Sequence, residues 1–215
     1  MREVFQQELS QVKDLLVSTS KEVTYAIQGA TSALLNADLP LAESVITHDK
    51  AIDSLTTDLD ELLITILAKQ QPVARDLRVV LSALRISANL ERMGDLAKHI
   101  ARIATYYPEG RLGETTELYE IFAEFTENVV DLSEQVTRLL ETEDVAIAQR
   151  IAHDDDIVDS IHARVFEITL ADDWKGSRRD TVNITLANRF FERFADHAVR
   201  ISEKMEYLAT GDWNA

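Results

Sequence analysis

Apolar residues recur every three or four positions through most of this chain, the spacing of a helical stripe turned toward a core. Phe5, Leu9, Val12, Leu16, Val23, Ile27, Ala30 and Leu34 set a first helix over about 2–36. Asn36-Ala37-Asp38-Leu39-Pro40 interrupts it, and Asp38 is placed to cap the next helix. Leu41, Val45, His48, Ile52, Leu55, Leu59, Leu62 and Ile66 carry a second helix to about Lys69. Gln71-Pro72 marks a turn, with the proline expected early in the following helix. That third helix is predicted over about 73–105, with one apolar row of Ala83, Ile86, Leu90, Met93, Ala97 and Ile100. A second row, Leu77, Leu81, Leu84 and Ala88, continues in register as Glu91 and Asp95. The breakers Tyr107-Pro108-Glu109-Gly110 close the first half.

The plan then repeats. Leu118, Phe122, Phe125, Val129, Leu132, Val136 and Leu139 make a fourth helix. Asp144 stands where Asp38 stood, and Ile147, Ile151, Val158, Ile161, Val165 and Ile168 make a fifth. A loop over 172–177 leads to Ile184, Ala187, Phe191, Phe194, Ala198, Ile201 and Met205, a sixth helix that ends at Gly211. Equivalent positions are 106 apart in the first two helices of each half, as Asp38 and Asp144 are, and 101 apart in the third, as Glu91 and Glu192 are. Nothing reads as a strand. The expected fold is all-α, with six long antiparallel helices in two tandem pseudo-symmetric three-helix bundles over 1–107 and 113–210.

Composition sharpens this picture. Only six glycines and three prolines occur in 215 residues, so turns are few and helices long. The absence of cysteine excludes disulfides, thiolate ligands and a thiol nucleophile. With 38 acidic against 22 basic residues, the formal charge of −16 disfavours nucleic acid and anionic lipid, and favours cations and basic protein surfaces. The N-terminal residues have no apolar secretory core, and no uncharged stretch approaches the ~20 residues of a transmembrane helix. A cytoplasmic protein is expected.

The candidate chemistry lies in repeated acidic pairs. Glu91 and Asp95 recur as Glu192 and Asp196, each pair at i and i+4 on one helix face. The preceding helices carry Asp49 and Asp53 in one half and Asp155 and Asp159 in the other, each following two apolar positions of the same row. Counting back from each hairpin at ~1.5 Å per residue puts these acids at matching heights. Four facing carboxylates need protonation, arginine partners or a metal. Arg92 and Arg193, at i+1 from each glutamate, are expected to point elsewhere. An all-oxygen set suits Mg, Ca or Mn, with iron also open. Gly94 and Ala195, before each aspartate, leave room for close helix approach or a ligand. His48 is expected as a packed core residue, and His99, His153, His162 and His197 at the surface or flanks. Phe190, Phe191 and Phe194 are expected in the core.

The stretches Asp49-Lys50-Ala51-Ile52-Asp53, Gln71-Pro72-Val73-Ala74-Arg75-Asp76-Leu77-Arg78, Leu90-Glu91-Arg92-Met93-Gly94-Asp95 and Phe191-Glu192-Arg193-Phe194-Ala195-Asp196-His197-Ala198 resemble the PhoU family, regulators of phosphate uptake. The resemblance covers nearly the whole chain, duplication included. It implies multinuclear metal clusters of iron or zinc. Their ligands would be Glu91 and Asp95 with Asp49 and Asp53, and Glu192 and Asp196 with Asp155 and Asp159. It implies a homodimeric cytoplasmic adaptor, peripherally associated with membrane complexes. Its partners would be the ATPase subunit of a phosphate ABC transporter and a sensor histidine kinase, which it holds in check when phosphate is plentiful. Ala88-Asn89 and the hairpin from Asp172 to Arg179 depart from the family pattern.

The rival is a carboxylate-bridged di-metal oxidase or metal store. Such bundles place a histidine three residues after a glutamate, and no histidine here stands in that place. No P-loop, dinucleotide-binding glycine loop or Ser-His-Asp order is present, so a non-enzymatic role is expected.

Overall fold

Asp38, Asp144 and Ser177 each start a helix by offering a side-chain acceptor to its unpaired backbone. The structure, a computed structural model, describes residues 2–107, 112 and 116–211. Among these it contains six helices and no strand: α1 (Arg2–Asn36), α2 (Leu39–Gln70), α3 (Ala74–Ala104), α4 (Thr116–Thr142), α5 (Val145–Thr169) and α6 (Arg178–Thr210). The breakers Pro108 to Gly110 and the expected start of the second bundle at 113 lie outside the described residues.

Asp38 caps α2 by accepting from the Leu41 amide at 3.0 Å, and Asp144 caps α5 by accepting from Ala146 at 3.0 Å. Ser177 and Asp180 form a reciprocal capping box at the start of α6, which closes at Gly211 with φ 78°. The start of α3 differs from expectation. Pro72 lies in the turn, not in the helix, and Val73 caps α3 without a side-chain hydrogen bond. The chain reverses through left-handed backbone at Gln71 (φ 47°) and Ala74 (φ 51°), which leaves Pro72 between the helices.

The helices α1, α2 and α3 pack on one another, as do α4, α5 and α6. The two groups join along two seams, α1 against α4 and α3 against α6. Both seams are antiparallel. Lys13 meets Glu143, Ser20 meets Thr137 and Thr24 meets Ser133, so one index rises as the other falls. On the other seam Arg78 lies over the Tyr207 ring, Asn89 meets His197 and the Tyr107 hydroxyl donates to Asp180. The α1–α4 seam is lined by hydroxyls whose protons also satisfy helix carbonyls one turn back, as Thr24 does with Ser20 at 3.0 Å.

Apolar filling dominates elsewhere. Phe122, Phe125 and Phe191 stack in the second bundle, with 4.9 Å between the Phe125 and Phe191 centroids. Phe191 and Phe194 are buried as expected, whereas Phe190 lies at the inter-bundle seam, stacked on His99 at 5.1 Å.

One packing relation inside each hairpin is complementary between the halves. A methyl added at Gly94 would come within 2.9 Å of Ile52 Cδ1 on α2. At the equivalent positions the second half has Ala195 and Val158. The methyl present on one helix is absent from the other, so both hairpins close at similar volume. Gly94 therefore serves close helix approach, and Ile52 fills the space it leaves.

Candidate metal centres

The acidic pairs stand at the outer edge of the α2–α3 and α5–α6 hairpins. The apolar row leading to Glu91 lies partly at the surface, with Leu81 46% exposed and Ala88 exposed. The buried face of α3 is taken instead by the row from Ala83 to Ile100. The acids are thus a rim to the core, with Asp49 buried beneath and Asp53 at the surface.

In the first bundle an internal cation gathers them. Lys98, one turn beyond Asp95, hydrogen-bonds Asp49 Oδ2 on α2 and Asp95 Oδ1 at 2.6 Å. Its side chain is 16% exposed. Burial opposes the charge of Lys98, but Asp49 and Asp95 hold its pKa above the ordinary lysine value. Burial likewise works against ionised Asp95, yet Lys98, Arg92 and His99 bring its pKa below the usual carboxylate value. The Asp53 pKa is raised by burial, then by Asp49 and Asp95, with Lys98 opposing. Glu91 is raised by burial, with Arg92 opposing and Asp95 and Asp53 adding. Arg92 was expected to point away. Its long stem brings Nη1 to 3.3 Å from Asp95 Oδ2 and Nε to 3.5 Å from Glu91. The neighbouring hydroxyls are satisfied too: Thr56 donates to the Ile52 carbonyl and Ser87 to Asp60, at 3.1 and 3.0 Å.

The second bundle has no such ammonium. The position equivalent to Lys98 is Val199, packed against the core. Asp155, Asp159, Glu192 and Asp196 face one another with far less compensation. The Asp155 carboxyl is pushed up to about 6 by burial first, then by Asp159, Asp196, Asp156 and Glu192. Glu192 is raised by burial and Asp196, with Arg189 and His162 opposing. Arg189 holds Glu192 Oε1 at 2.6 Å, and the other oxygen, Oε2, is buried without a partner. Two further buried atoms nearby lack partners, Asn188 Oδ1 and His162 Nδ1. Their first-bundle equivalents are the satisfied Ser87 and Thr56. As they stand, no three His, Asp or Glu side chains among the described residues converge closely enough to hold an ion.

The donor sets of the two halves therefore differ in what they can accept. The second offers carboxylates in mutual repulsion and orphaned oxygen and nitrogen atoms, which fits a multivalent cation. In the first, an ammonium already takes the oxygens that a metal would need.

Several histidines depart from expectation. His48 is half-buried, with Nε2 2.5 Å from Glu22 Oε2 and its ring edge-on to Tyr25. His197 is 6% exposed, with Nδ1 2.8 Å from Asn89 Oδ1 across the α3–α6 seam. Burial, then Arg200, Arg193 and Arg92, press its pKa down to about 4. His99 and His162 are half-buried at a seam and a hairpin, and His153 is exposed as expected. The acidic pattern alone does not announce Lys98, although its i+3 spacing from Asp95 signals it.

The PhoU domain family matches this chain twice, over residues 16–104 and 122–205. A Mycobacterium bovis protein named phosphate-specific transport system accessory protein PhoU homolog 2 is 37% identical over 98% of this chain and 99% of its own. Homolog 1 of Mycobacterium leprae is 36% identical over 99% and 96%. Among solved structures, PhoU of Pseudomonas aeruginosa superposes with a TM-score of 0.88 at 30% identity, covering 97% of this chain and 100% of that one. The phosphate transport system regulatory protein PhoU of Streptococcus pneumoniae gives 0.87 at 25% identity, covering 97% and 98%.

Proposed function

The chain belongs to the PhoU family, and on that footing we propose that it is a non-enzymatic regulator of phosphate uptake. It links a phosphate ABC transporter, through the transporter's ATPase subunit, to a sensor histidine kinase and restrains the starvation response when phosphate is plentiful. The observation that carries this reading is the correspondence of both halves, end to end, with proteins named as accessory or regulatory components of phosphate transport.

Surface chemistry supports an adaptor. No helix among the described residues is long and apolar enough to cross a membrane, so contact with a transporter runs through protein surfaces. Exposed apolar residues recur at equivalent places in the two halves: Ile64 with Leu170, and Leu81 with Val182. Ile64 and Leu81 flank the α2–α3 hairpin, and Leu170 and Val182 the α5–α6 hairpin, each of which carries an acidic centre. A partner with basic and apolar groups meets such a surface favourably.

Metal binding is part of the proposal. Asp155, Asp159, Glu192 and Asp196 would hold the ion, which supplies positive charge that braces α5 against α6. Deletion of the gene in a host without a second copy tests the regulatory role. Transporter genes are expected to stay on in abundant phosphate. Unaltered repression would overturn the reading.

A further inference from the structure

The duplication invites the expectation of two equivalent metal centres. The side chains do not support it. We propose that this chain takes up metal in its second bundle only, and that Lys98 is a built-in counterion that shuts the first centre to divalent ions.

Three contrasts carry the inference. Lys98 Nζ lies between Asp49 Oδ2 and Asp95 Oδ1, one oxygen from each helix. An ion bridging α2 and α3 would need those oxygens and would sit beside a fixed positive charge. The ammonium is held in a shielded place between two carboxylates, so displacing it means breaking both pairs and moving the charge to solvent. At the equivalent position Val199 brings no charge, and it leaves Asp155 and Asp196 without an ammonium between them.

The second contrast concerns satisfaction of polar groups. Around the first centre Thr56 and Ser87 have partners. Around the second, His162, Asn188 and Glu192 each keep one buried atom with none. These are the equivalents of Thr56, Ser87 and Glu91. Buried polar atoms are rarely left unpaired in a folded protein, and a bound ion with its waters is one way to satisfy them.

The third contrast is in donor type. Thr56 is a weak ligand, whereas His162 adds an imidazole nitrogen beside the oxygen set. Asn188 and Glu192, one turn apart, extend the set along α6. The second centre thus has a wider choice of ligands than the first, including one suited to transition metals.

The inference rests on the metal-binding part of the proposed function. It is tested by loading the purified full chain with Mn²⁺ after chelator treatment, then removing free ion and counting bound Mn by elemental analysis and electron paramagnetic resonance. Wild type is expected to retain Mn that is lost in Glu192→Gln/Asp196→Asn and kept in Glu91→Gln/Asp95→Asn. Lys98→Met is expected to open the first centre and roughly double the retained Mn, a gain that Glu91→Gln/Asp95→Asn removes. Circular dichroism checks that each variant is helical. Should Lys98→Met not fold, the two double variants still decide the case.

Equal loss of Mn from both double variants, with no gain in Lys98→Met, would overturn the inference and leave metal binding standing. No Mn in any variant would overturn both. Loss confined to Glu91→Gln/Asp95→Asn would reverse the assignment.

Discussion

The His197 ring on α6 hydrogen-bonds the Asn89 side chain on α3, Nδ1 to Oδ1 at 2.8 Å, across the seam that joins the two bundles. With the amide oxygen accepting, Nδ1 carries a proton, and burial keeps the ring neutral at pH 7. His197 is 6% exposed, and its pKa is pressed to about 4 by burial and by Arg200, Arg193 and Arg92. The unfolded chain takes up this proton near the ordinary histidine value, well before the folded one. Stability from the neutral ring is therefore full above about pH 6.5 and is lost as pH falls toward about 4, by at most about 3 kcal/mol. Urea unfolding of wild type and His197→Gln across this range is expected to show a shallower acid loss in the variant. Parallel curves would count against it.

Asp155 has the opposite sign. Its folded pKa, about 6, stands above the ordinary aspartate value of 3.8, so stability falls as pH rises through that interval. Asp155→Asn is expected to stabilise the metal-free protein at pH 8 by about 1–2 kcal/mol, after allowance for solvent screening. The gain should vanish below about pH 4, where both forms are neutral. Thermal unfolding in chelator at the two pH values measures it.

Lys98 and Arg164 both pair with acids across helices, yet they should differ in weight. Removing Lys98 leaves Asp49, 6% exposed, without its ammonium, and Lys98→Met is expected to cost about 2–4 kcal/mol. Arg164 and Glu124 are 45% and 43% exposed, so Arg164→Met is expected to cost under about 1 kcal/mol. Denaturant midpoints of the two variants give the comparison.

Gly94→Ala gains about 1 kcal/mol of helix propensity but places a methyl 2.9 Å from Ile52 Cδ1 and 3.2 Å from its Cγ2. Overpacking of this kind costs about 1–3 kcal/mol, so the single variant is expected to be neutral to about 2 kcal/mol less stable. Adding Ile52→Val recreates the arrangement of Ala195 and Val158. A double-mutant cycle is expected to show favourable coupling of about 1 kcal/mol. Strict additivity would mean that the two sites do not share space.

The helices were legible in the sequence because 3.6-residue periodicity and scarce breakers leave little choice. The caps at Asp38 and Asp144 could be read because a side-chain acceptor before an apolar run has one local use. The start of α3 could not, since its reversal depends on left-handed backbone at Gln71 and Ala74, which no residue type there announces. The spacing of the acids shows which helix row carries them, but it does not reveal Lys98 and Arg92 as their partners. Long stems carry charge further than a Cβ direction indicates. His197 looked like a flank residue because periodicity within one bundle cannot reveal a face that a second bundle covers. His48, on an inward row, ends at Glu22 because its ring reaches past the row to the edge of α1.

The missing methyl of Gly94 bears on how such a duplicated chain can diverge. Each hairpin carries its own matched filling, Ile52 with Gly94 and Val158 with Ala195. Grafting α6 opposite α2 would set two methyls in one space, and the reverse graft would leave a void. The interchangeable module is thus the paired hairpin, and drift on one of its arms is answerable to the other.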